Sequence, residues 1–433
     1  MSPELIGLCG FIVLFILLAS GIPIGVGMGV VGFVGLCLTL SVPAAMTKMA
    51  IAPFELVSNY TFASLPLFLL MGHAILSSGQ GTTMFEISRK WFGRVPGGLA
   101  MATIVASAGF GAVCASALAT SITMGLVAMP EMKKRNYDSA LLAGTIAVGG
   151  AAGGLIPPSN FLLIYGIMTE NSIAKLFVAG IIPGTIVALS YLLVIALRCW
   201  RNPKLGPPAG RYSMKEKIAC LKEIWELVAL VIFTLGGLVG GVFTSTEAGA
   251  VGAGGAFLSA AVRRKLTWKS FSEAVLETMK TSGMVYAILI GAVIFNFFCA
   301  ASGLPTALSE WVAGLKVTPF AIMVVIVVIY LIMGALMDEV SIQLLTIPVF
   351  YPLVMSLGFD PIWFGCIQCR LLEIGMIAPP VGISVFVVSG LDKSIPMTRI
   401  FKGVLWFLVA DVITIAMFMY WPEIITCLPN LVK

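Results

Sequence analysis

The chain has 433 residues, of which 59% are hydrophobic and 11% are charged, with a formal net charge of +6 and a mean hydropathy of +1.05. Soluble domains carry about 25% charged residues, so this composition excludes an ordinary soluble domain and indicates a polytopic membrane protein. The positive charge requires no nucleic-acid partner, because the basic residues fall almost wholly on one predicted side of the bilayer.

Candidate membrane spans follow one another along the chain, each close to the roughly 20 apolar residues that a bilayer requires. The first run has no basic residue before it, so we expect a retained anchor rather than a cleaved signal peptide. In chain order the candidate spans are 5–20, 22–40, 61–78, 139–168, 174–198, 224–243, 246–262, 281–301, 361–391 and 400–421.

Two further apolar pairs, 97–110 with 115–130 and 318–334 with 340–356, are predicted to form re-entrant hairpins. Each pair is two apolar pieces joined by a short polar or glycine-rich tip. If each hairpin enters and leaves on one face, the remaining runs give ten crossings. Both termini then lie on the same side of the membrane.

The basic residues test this topology, because inner loops of membrane proteins are enriched in lysine and arginine. With the N-terminus outside, the inner loops and the adjoining span ends hold 21 basic residues, and Arg370 is the only one far from the ends of a span. The outer segments hold Lys48, Lys175, Lys316 and Lys433. The pattern predicts that the basic loops lie in the cytoplasm and that both termini lie on the outer side of the membrane.

The polar stretch 199–223 is predicted to be a cytoplasmic linker between a first repeat, 1–198, and a second repeat, 224–433. An offset of 222 residues aligns the two halves without a gap. It pairs Pro130 with Pro352, Asp138 with Asp360, Gly153 with Gly375, and Pro157–Pro158 with Pro379–Pro380. Each half has five crossings, so the second must be inverted, which is typical of secondary transporters. A duplication that serves packing alone is the alternative.

Each repeat interrupts one of its own spans with glycines and a Pro-Pro pair. The stretches are GGAAGGLIPPSNF, 149–161, within 139–168, and EIGMIAPPVGISVF, 373–386, within 361–391. An unpaired backbone group in lipid costs several kcal/mol, so a break is tolerable only beside protein or water. The free carbonyls and helix ends suit a sodium ion and an anionic substrate. A simple proline kink is the alternative.

The hairpin tips, 109–116 and 334–341, fit the same interpretation. Their glycines allow close backbone approach, and Ser116 and Ser341, together with Ser159 and Asn160 of the first break, offer neutral oxygens to a monovalent cation. Packing or helix capping explains any single serine equally well. Asp138 and Asp360 are predicted to be N-caps.

Charged residues at membrane depth are costly and are functional candidates. Arg370 and Glu373 lie three residues apart and can pair, although Arg370 could instead bind a substrate carboxylate. Asp338 and Glu339 could be ion ligands, proton sites or a solvated tip. The single histidine, His73, is interpreted as an interfacial polar residue.

Enzymatic and nucleotide-driven functions are disfavoured by the motifs. The sequence contains no G-x-x-x-x-G-K-[ST] loop and no H-E-x-x-H site. Cys366 and Cys369 have no second pair to complete a zinc site. We therefore expect no cofactor, and no metal other than sodium as the coupling ion.

Several stretches resemble the large membrane subunit of the tripartite ATP-independent periplasmic transporters, the TRAP family. They cover nearly the whole chain in order. The stretches are SGIPIGVGMG (20–29), SLPLFLLMG (64–72), VPGGLA (95–100), MPEMKKRNYD (129–138), LIPPS (155–159), GGVFTSTEAGAVGA (240–253) and EIGMIAPPVG (373–382).

The resemblance implies an all-α, elevator-type secondary transporter of the bacterial inner membrane, in which a transport domain with two hairpins moves against scaffold helices. It implies a separate small membrane subunit, a periplasmic substrate-binding protein and an organic acid substrate such as a C4-dicarboxylate or sialic acid. Membrane lipid surrounds it. A sodium/carboxylate symporter of related fold that needs no partner, and a channel, are the alternatives.

The resemblance also implies one sodium site between each hairpin tip and its broken helix. Ala378 stands where the family commonly has threonine, which leaves the second site reliant on backbone carbonyls. The candidates for sodium site 1 are Gly109, Gly111, Ser116, Gly154, Pro157, Ser159 and Asn160. Those for site 2 are Gly334, Asp338, Glu339, Ser341, Gly375, Ala378, Pro379 and Gly382. The substrate candidates are Ser116, Ser159, Asn160 and Arg370.

Overall fold

The structure, a computed structural model, describes residues 2–114, 116–314 and 317–431. Within these ranges the regular elements are α-helices and short 3-10 turns, which confirms the predicted all-α class. Ala115 in the first hairpin tip and the outer-segment residues Lys316 and Lys433 lie outside the described residues.

The first part of the chain forms five helices before the first hairpin. Three of them correspond to predicted spans, whereas α3 and α5 were not predicted because polar residues interrupt their apolar pattern. In order these helices are α1 (Pro3–Ala19), α2 (Ile24–Thr39), α3 (Val42–Ser58), α4 (Ser64–Ser77) and α5 (Gln80–Phe92).

The next helices form the first hairpin, the first broken helix and the linker. The stretch predicted to be the linker, 199–223, contains a short helix, Met214–Leu221. The helices are α6 (Gly98–Cys114), α7 (Ala117–Lys134), α8 (Ser139–Ala151), α9 (Asn160–Thr169), α10 (Ile173–Arg201) and α11 (Met214–Leu221).

The remaining helices contain the second hairpin and the second broken helix. The predicted span 281–301 is part of a longer helix, α14, which absorbs most of the segment expected to be a polar loop. The helices are α12 (Trp225–Val239), α13 (Ser245–Val262), α14 (Trp268–Ser302), α15 (Leu304–Gly314), α16 (Pro319–Gly334), α17 (Glu339–Ser356), α18 (Pro361–Ile377), α19 (Ile383–Leu391), α20 (Met397–Tyr420) and α21 (Glu423–Thr426).

Five helices among the described residues are long and apolar enough to cross a membrane by length and composition: Tyr60–Ser77, Ile173–Arg201, Trp268–Ser302, Glu339–Ser356 and Met397–Tyr420. Other apolar helices, such as α1 and α2, have 16 or 17 residues. At 1.5 Å per residue these reach roughly 25 Å, close to the thickness of the hydrocarbon core.

The offset of 222 residues also relates helix bounds in the two halves. The bounds of α7, Ala117–Lys134, fall on those of α17, Glu339–Ser356. The capping residues match as well, because Asp138 caps α8 and Asp360 caps α18, as predicted. The repeat and its inverted orientation in a membrane stay predictions.

The basic loops meet at one end of the molecule. The amide of Gly97 donates to the carbonyl of Gly206 at 2.7 Å, and the amide of Asp138 donates to the carbonyl of Leu205 at 2.9 Å. The linker therefore packs along the base of the first hairpin. Arg399 also reaches this end, where its Nη2 lies 2.8 Å from Asp138 Oδ2.

The sparsely charged loops meet at the opposite end. Thr246 donates to the carbonyl of Tyr60 at 3.0 Å, and Tyr286 donates to the carbonyl of Phe62 at 3.0 Å. Glu247 forms an exposed capping box with Thr244 at the start of α13. The side of the membrane on which each end lies stays a prediction.

The helices pack in two groups that together position the site. In one group α14 packs against α2 and α4, and α13 packs against α4. In the other, α8 packs against both arms of the first hairpin and against α20, while α18 packs against both arms of the second hairpin. Both broken helices therefore lie in the second group, next to the hairpins.

Candidate functional site

The first broken helix stops at Ala151 and resumes at Asn160. The amide of Leu162 donates to Ser159 Oγ at 3.4 Å, so Ser159 is the N-cap of the second half, α9. Because α8 ends here, its last carbonyls lack helical partners and its dipole presents partial negative charge. A cation is therefore favoured at this break.

The first hairpin tip lies against this break. Ser116 caps α7, since the amide of Ala119 donates to its Oγ at 3.3 Å. A Cβ on Gly153 would lie 3.0 Å from the Cα of Gly111, so the two backbones are in contact. Glycine at both positions permits an approach that a side chain would block.

A small cavity lies between the tip and the break, with a volume of about 10 Å³. That is room for about one water-sized particle, which is enough for a sodium ion that has lost its hydration waters. Five of the seven candidates for sodium site 1 line this cavity: Gly111, Ser116, Gly154, Ser159 and Asn160. Serine hydroxyls, an asparagine side chain and free carbonyls are oxygen donors suited to a hard cation.

The other two candidates for site 1 lie outside this lining. Gly109 faces helix α5, where a Cβ on it would lie 2.5 Å from Met84 Cε. Pro157 forms a cis peptide with Pro158, and Pro158 rather than Pro157 lines the cavity. The structure thus places five of the seven predicted residues around the cavity, and Gly109 and Pro157 are not among its lining residues.

The second tip and break are in equally close contact. A Cβ on Gly375 would lie 2.5 Å from the Cα of Gly334. Asp338 caps α17, because the amide of Ser341 donates to its Oδ1 at 3.0 Å. Glu339, which follows it, is buried together with Ser341.

The remaining candidates for site 2 diverge from this polar cluster. Ala378 ends α18, and together with Pro379 it lines an apolar cleft of about 740 Å³ between α16, α18 and α20. Gly382 begins α19 with a positive φ of 59°, which favours glycine. The two breaks therefore differ, because a small polar cavity adjoins the first and an apolar cleft adjoins the second.

Arg370 lies at the centre of a fully buried ion cluster. Its Nη1 is 2.7 Å from Glu373 Oε2, and its Nη2 pairs with Asp411 and donates to Tyr191 Oη at 2.7 Å. The hydroxyl of Tyr191 donates in turn to the Asp411 carboxylate at 2.9 Å. The pair expected between Arg370 and Glu373 is present, and Arg370 is engaged within the protein.

The cluster extends to the first break. Arg370 Nη1 donates to the carbonyl of Ala151, the last residue of α8, at 3.1 Å. Glu373 Oε1 has no hydrogen-bond partner within the described residues, and a Cβ on Gly154 would overlap it. A guanidinium thus already satisfies one end of the broken helix, and a buried carboxylate oxygen faces the glycine beside the cavity.

Sequence reasoning missed Asp411 and Tyr191. A signal for Asp411 was present, because an aspartate in the middle of the apolar run 400–421 is costly in a membrane unless it is paired. Tyr191 carried no such signal, since tyrosines are common in membrane helices. Their partner Arg370 lies 41 and 179 positions away along the chain, so only the fold reveals the cluster.

A polar cleft of about 590 Å³ opens at the sparsely charged end of the molecule. It lies between α14 and the turn that joins α9 to α10. Its polar lining residues are Asn59, Thr61, Glu170, Asn171, Ser245 and Asn296. This cleft separates the two groups of helices on that side.

Solved structures share this architecture. The YdaH transporter of Alcanivorax borkumensis matches with a TM-score of 0.61 and 14% identity, over 98% of each chain. MtrF of Neisseria gonorrhoeae matches with a TM-score of 0.61 and 14% identity, over 89% of this chain and 85% of that one. At this identity the likeness shows the fold alone.

Residues 11–424 match the family described as the tripartite ATP-independent periplasmic transporter, DctM component. The C4-dicarboxylate TRAP transporter large permease protein DctM of Pseudomonas aeruginosa is 34% identical, over 91% of this chain and 92% of its own. The sialic acid TRAP transporter large permease protein SiaM of Vibrio cholerae is 30% identical, over 96% of each. The chain belongs to this family of transporter large permease subunits.

Proposed function

We propose that this protein carries out sodium-coupled uptake of an organic acid that a periplasmic binding protein delivers. The single observation that carries the proposal is the contact of each hairpin tip with its break, Gly111 with Gly153 and Gly334 with Gly375. Sodium bound there joins a tip to a broken helix. Substrate transport is coupled to sodium because the substrate pocket needs ordered tips, and the tips are ordered only when sodium is bound.

The first cavity supports a sodium ion at that site. Ser116 and Ser159 bring hydroxyl oxygens from the tip and the break to one volume of about 10 Å³. The C-terminal end of α8 adds partial negative charge to it. The second site relies on backbone oxygens around Gly334 and Gly375, because Ala378 brings no hydroxyl.

An organic acid is proposed as the substrate because related permeases are named for C4-dicarboxylate and sialic acid. In this proposal Ser116, Ser159 and Asn160 contact the substrate. Arg370 positions α8 instead of binding the substrate directly, since it is fully buried against Glu373 and Asp411.

We further propose an elevator motion. The group of helices that contains both hairpins moves against the group built on α14, and the polar cleft of about 590 Å³ between them is the outer access route. The end that holds the basic loops faces the cytoplasm, and the termini are periplasmic. A small membrane subunit completes the scaffold side.

Reconstitution into proteoliposomes tests the function. The chain, a small membrane subunit and a periplasmic binding protein are combined with radiolabelled organic acids under an imposed sodium gradient. The proposal predicts uptake only with all three proteins, and its loss when potassium replaces sodium. Uptake of free acid by the chain without the binding protein would instead identify a symporter that needs no partner.

A further inference from the structure

A cavity of about 550 Å³ lies at the end of the molecule where the basic loops meet, away from the breaks. It is bounded by the start of α8, the end of α10 and the first turns of α20. The residues that line it are Asp138, Ala140, Arg198, Leu205, Arg399, Lys402, Leu405, Trp406 and Val409.

The cavity carries an excess of positive charge. Arg198, Arg399 and Lys402 line it against a single acid, Asp138. Asp138 is already engaged, because its Oδ1 caps α8 and its Oδ2 accepts from Arg399 Nη2 at 2.8 Å. Two basic side chains therefore remain without an acidic partner among the residues lining the cavity.

The guanidinium of Arg198 is positioned to bind an anion. Its Nη1 is buried and has no hydrogen-bond partner in the part of the chain that the structure describes. Its guanidinium stacks over the ring of Trp406, with 5.5 Å from Cζ to the ring centroid, which fixes its position. A buried guanidinium nitrogen without an acceptor is costly, so an acceptor from outside the chain is favoured there.

The outer wall of the cavity is apolar. Leu405, Trp406 and Val409 are 51%, 52% and 57% exposed, and the same face of α20 continues through Val412. Because α20 is long and apolar enough to cross a membrane, we expect this face to meet acyl chains in a bilayer. The polar end of the cavity is then at the level of the lipid headgroups.

We propose that this cavity binds one anionic phospholipid. The phosphate accepts hydrogen bonds from Arg198 and Lys402, and the acyl chains lie along Leu405 and Val409 of α20. Basic pockets between membrane helices near the cytoplasmic face are suited to such headgroups. A soluble anion satisfies the charges but leaves the apolar face of α20 unused. The bound lipid would connect α8, α10 and α20.

Native mass spectrometry of the delipidated full chain tests the proposal, with phosphatidylglycerol and phosphatidylcholine as probes. One basic side chain near a membrane contributes about a fivefold change in lipid affinity, so two contribute about 30-fold. We expect Lys402→Gln to weaken phosphatidylglycerol binding about fivefold, and Arg198→Gln with Lys402→Gln about 30-fold. Lys215→Gln, an exposed basic residue of α11 outside the cavity, is the matched control and should change nothing.

Lys402 is exposed, so Lys402→Gln reports on the site even if the Arg198 variant folds poorly. Millimolar glycerol 3-phosphate should not displace the lipid, because it lacks the acyl chains. Equal retention of phosphatidylglycerol by the wild type and both variants would overturn the proposal. So would equal affinity for phosphatidylcholine, or displacement by glycerol 3-phosphate.

Discussion

Arg370 of α18 and Asp411 of α20 form an ion pair in which both side chains are fully buried, although the residues lie 41 positions apart. Glu373 is the second carboxylate on the same guanidinium. One positive charge thus compensates two carboxylates in the group of helices that holds both breaks. The pair joins the second broken helix to α20, and α20 in turn packs against the first broken helix, α8.

Removal of the Arg370 guanidinium alone should lower the stability of the protein far more than neutralising the whole cluster. Arg370→Met leaves two buried carboxylates unpaired and should lower the free energy of unfolding by about 3–5 kcal/mol. Adding Glu373→Gln and Asp411→Asn should recover much of that loss. Denaturant titration in detergent micelles measures each variant.

The control for this series is an exposed pair. Lys280 lies 2.7 Å from Glu277, with side chains 60% and 52% exposed. Lys280→Met should cost less than about 1 kcal/mol, because water already solvates both groups. A cost for Arg370→Met as small as that of Lys280→Met would contradict the role of the cluster.

Much of the fold could be predicted because the membrane limits the choices. Apolar runs identified most of the long helices, and the Pro-Pro pairs with the glycines beside them located both breaks, since proline removes a backbone donor and clashes with the preceding turn. The helices α3 and α5 were not predicted from the sequence, because they mix polar and apolar residues and contain no long apolar run. The extension of α14 back to Trp268 was not predicted, because charged residues such as Glu273 and Lys280 are typical of a polar loop.

The candidate site was predictable in part, for a different reason. Glycine, serine and proline occur at a tip or break because of the local backbone conformation there, and the sequence alone shows that pattern. Ser116 and Ser159 could therefore be found. Asp411 and Tyr191 contribute through contacts made only in three dimensions. The direction in which Ala378 and Pro379 face could not be read locally either, because it depends on how α16 and α20 pack beside them.

The contact between the second tip and its break should be sensitive to one methyl group. Gly375→Ala places a Cβ 2.5 Å from the Cα of Gly334, and backbone atoms can relieve this only by separating. A displacement of about 1 Å at a binding site costs roughly 100-fold, so uptake should fall by that order. Uptake rates in proteoliposomes, normalised to folded protein, measure the effect.

Gly283 of α14 is the matched control, because a Cβ there meets no atom within 4 Å. Gly283→Ala should leave uptake unchanged and should stabilise the helix by up to about 1 kcal/mol. Normal uptake by Gly375→Ala would show that the tip does not need this contact.

A pH-dependent contact holds the turn after α19 to the end of α7. The hydrogen bond from Lys133 keeps the pKa of Asp392 below its ordinary value. A lowered pKa in the folded state adds stability above the unfolded-state value of about 3.9, and this stability is lost as the pH falls through the lowered value.

Lys133→Gln should therefore destabilise the protein at pH 7 and have progressively less effect below about pH 4. Thermal unfolding of both forms across this pH range measures the difference. Lys269→Gln, which removes an exposed lysine 3.9 Å from Glu273, is the control. A Lys133→Gln effect that is independent of pH would rule out this linkage.

The predicted orientation can be tested by thiol labelling in intact cells. In a chain carrying Cys427→Ser, Ser58→Cys should react with a membrane-impermeant maleimide from outside. Lys215→Cys should react only after the cells are permeabilised, because it lies in the linker at the basic end. The reverse pattern would invert the topology.

The sodium dependence of uptake in two serine variants tests the central claim most directly. Ser159 and Ser172 both cap helices, accepting from Leu162 N at 3.4 Å and from Lys175 N at 3.3 Å, but only Ser159 lines the small cavity. The account predicts that Ser159→Ala raises the half-saturating sodium concentration about tenfold, the order expected for losing about 1.4 kcal/mol of ligand interaction, whereas Ser172→Ala leaves it unchanged. An identical sodium dependence in wild type, Ser159→Ala and Ser172→Ala would contradict a sodium site between the first tip and its break.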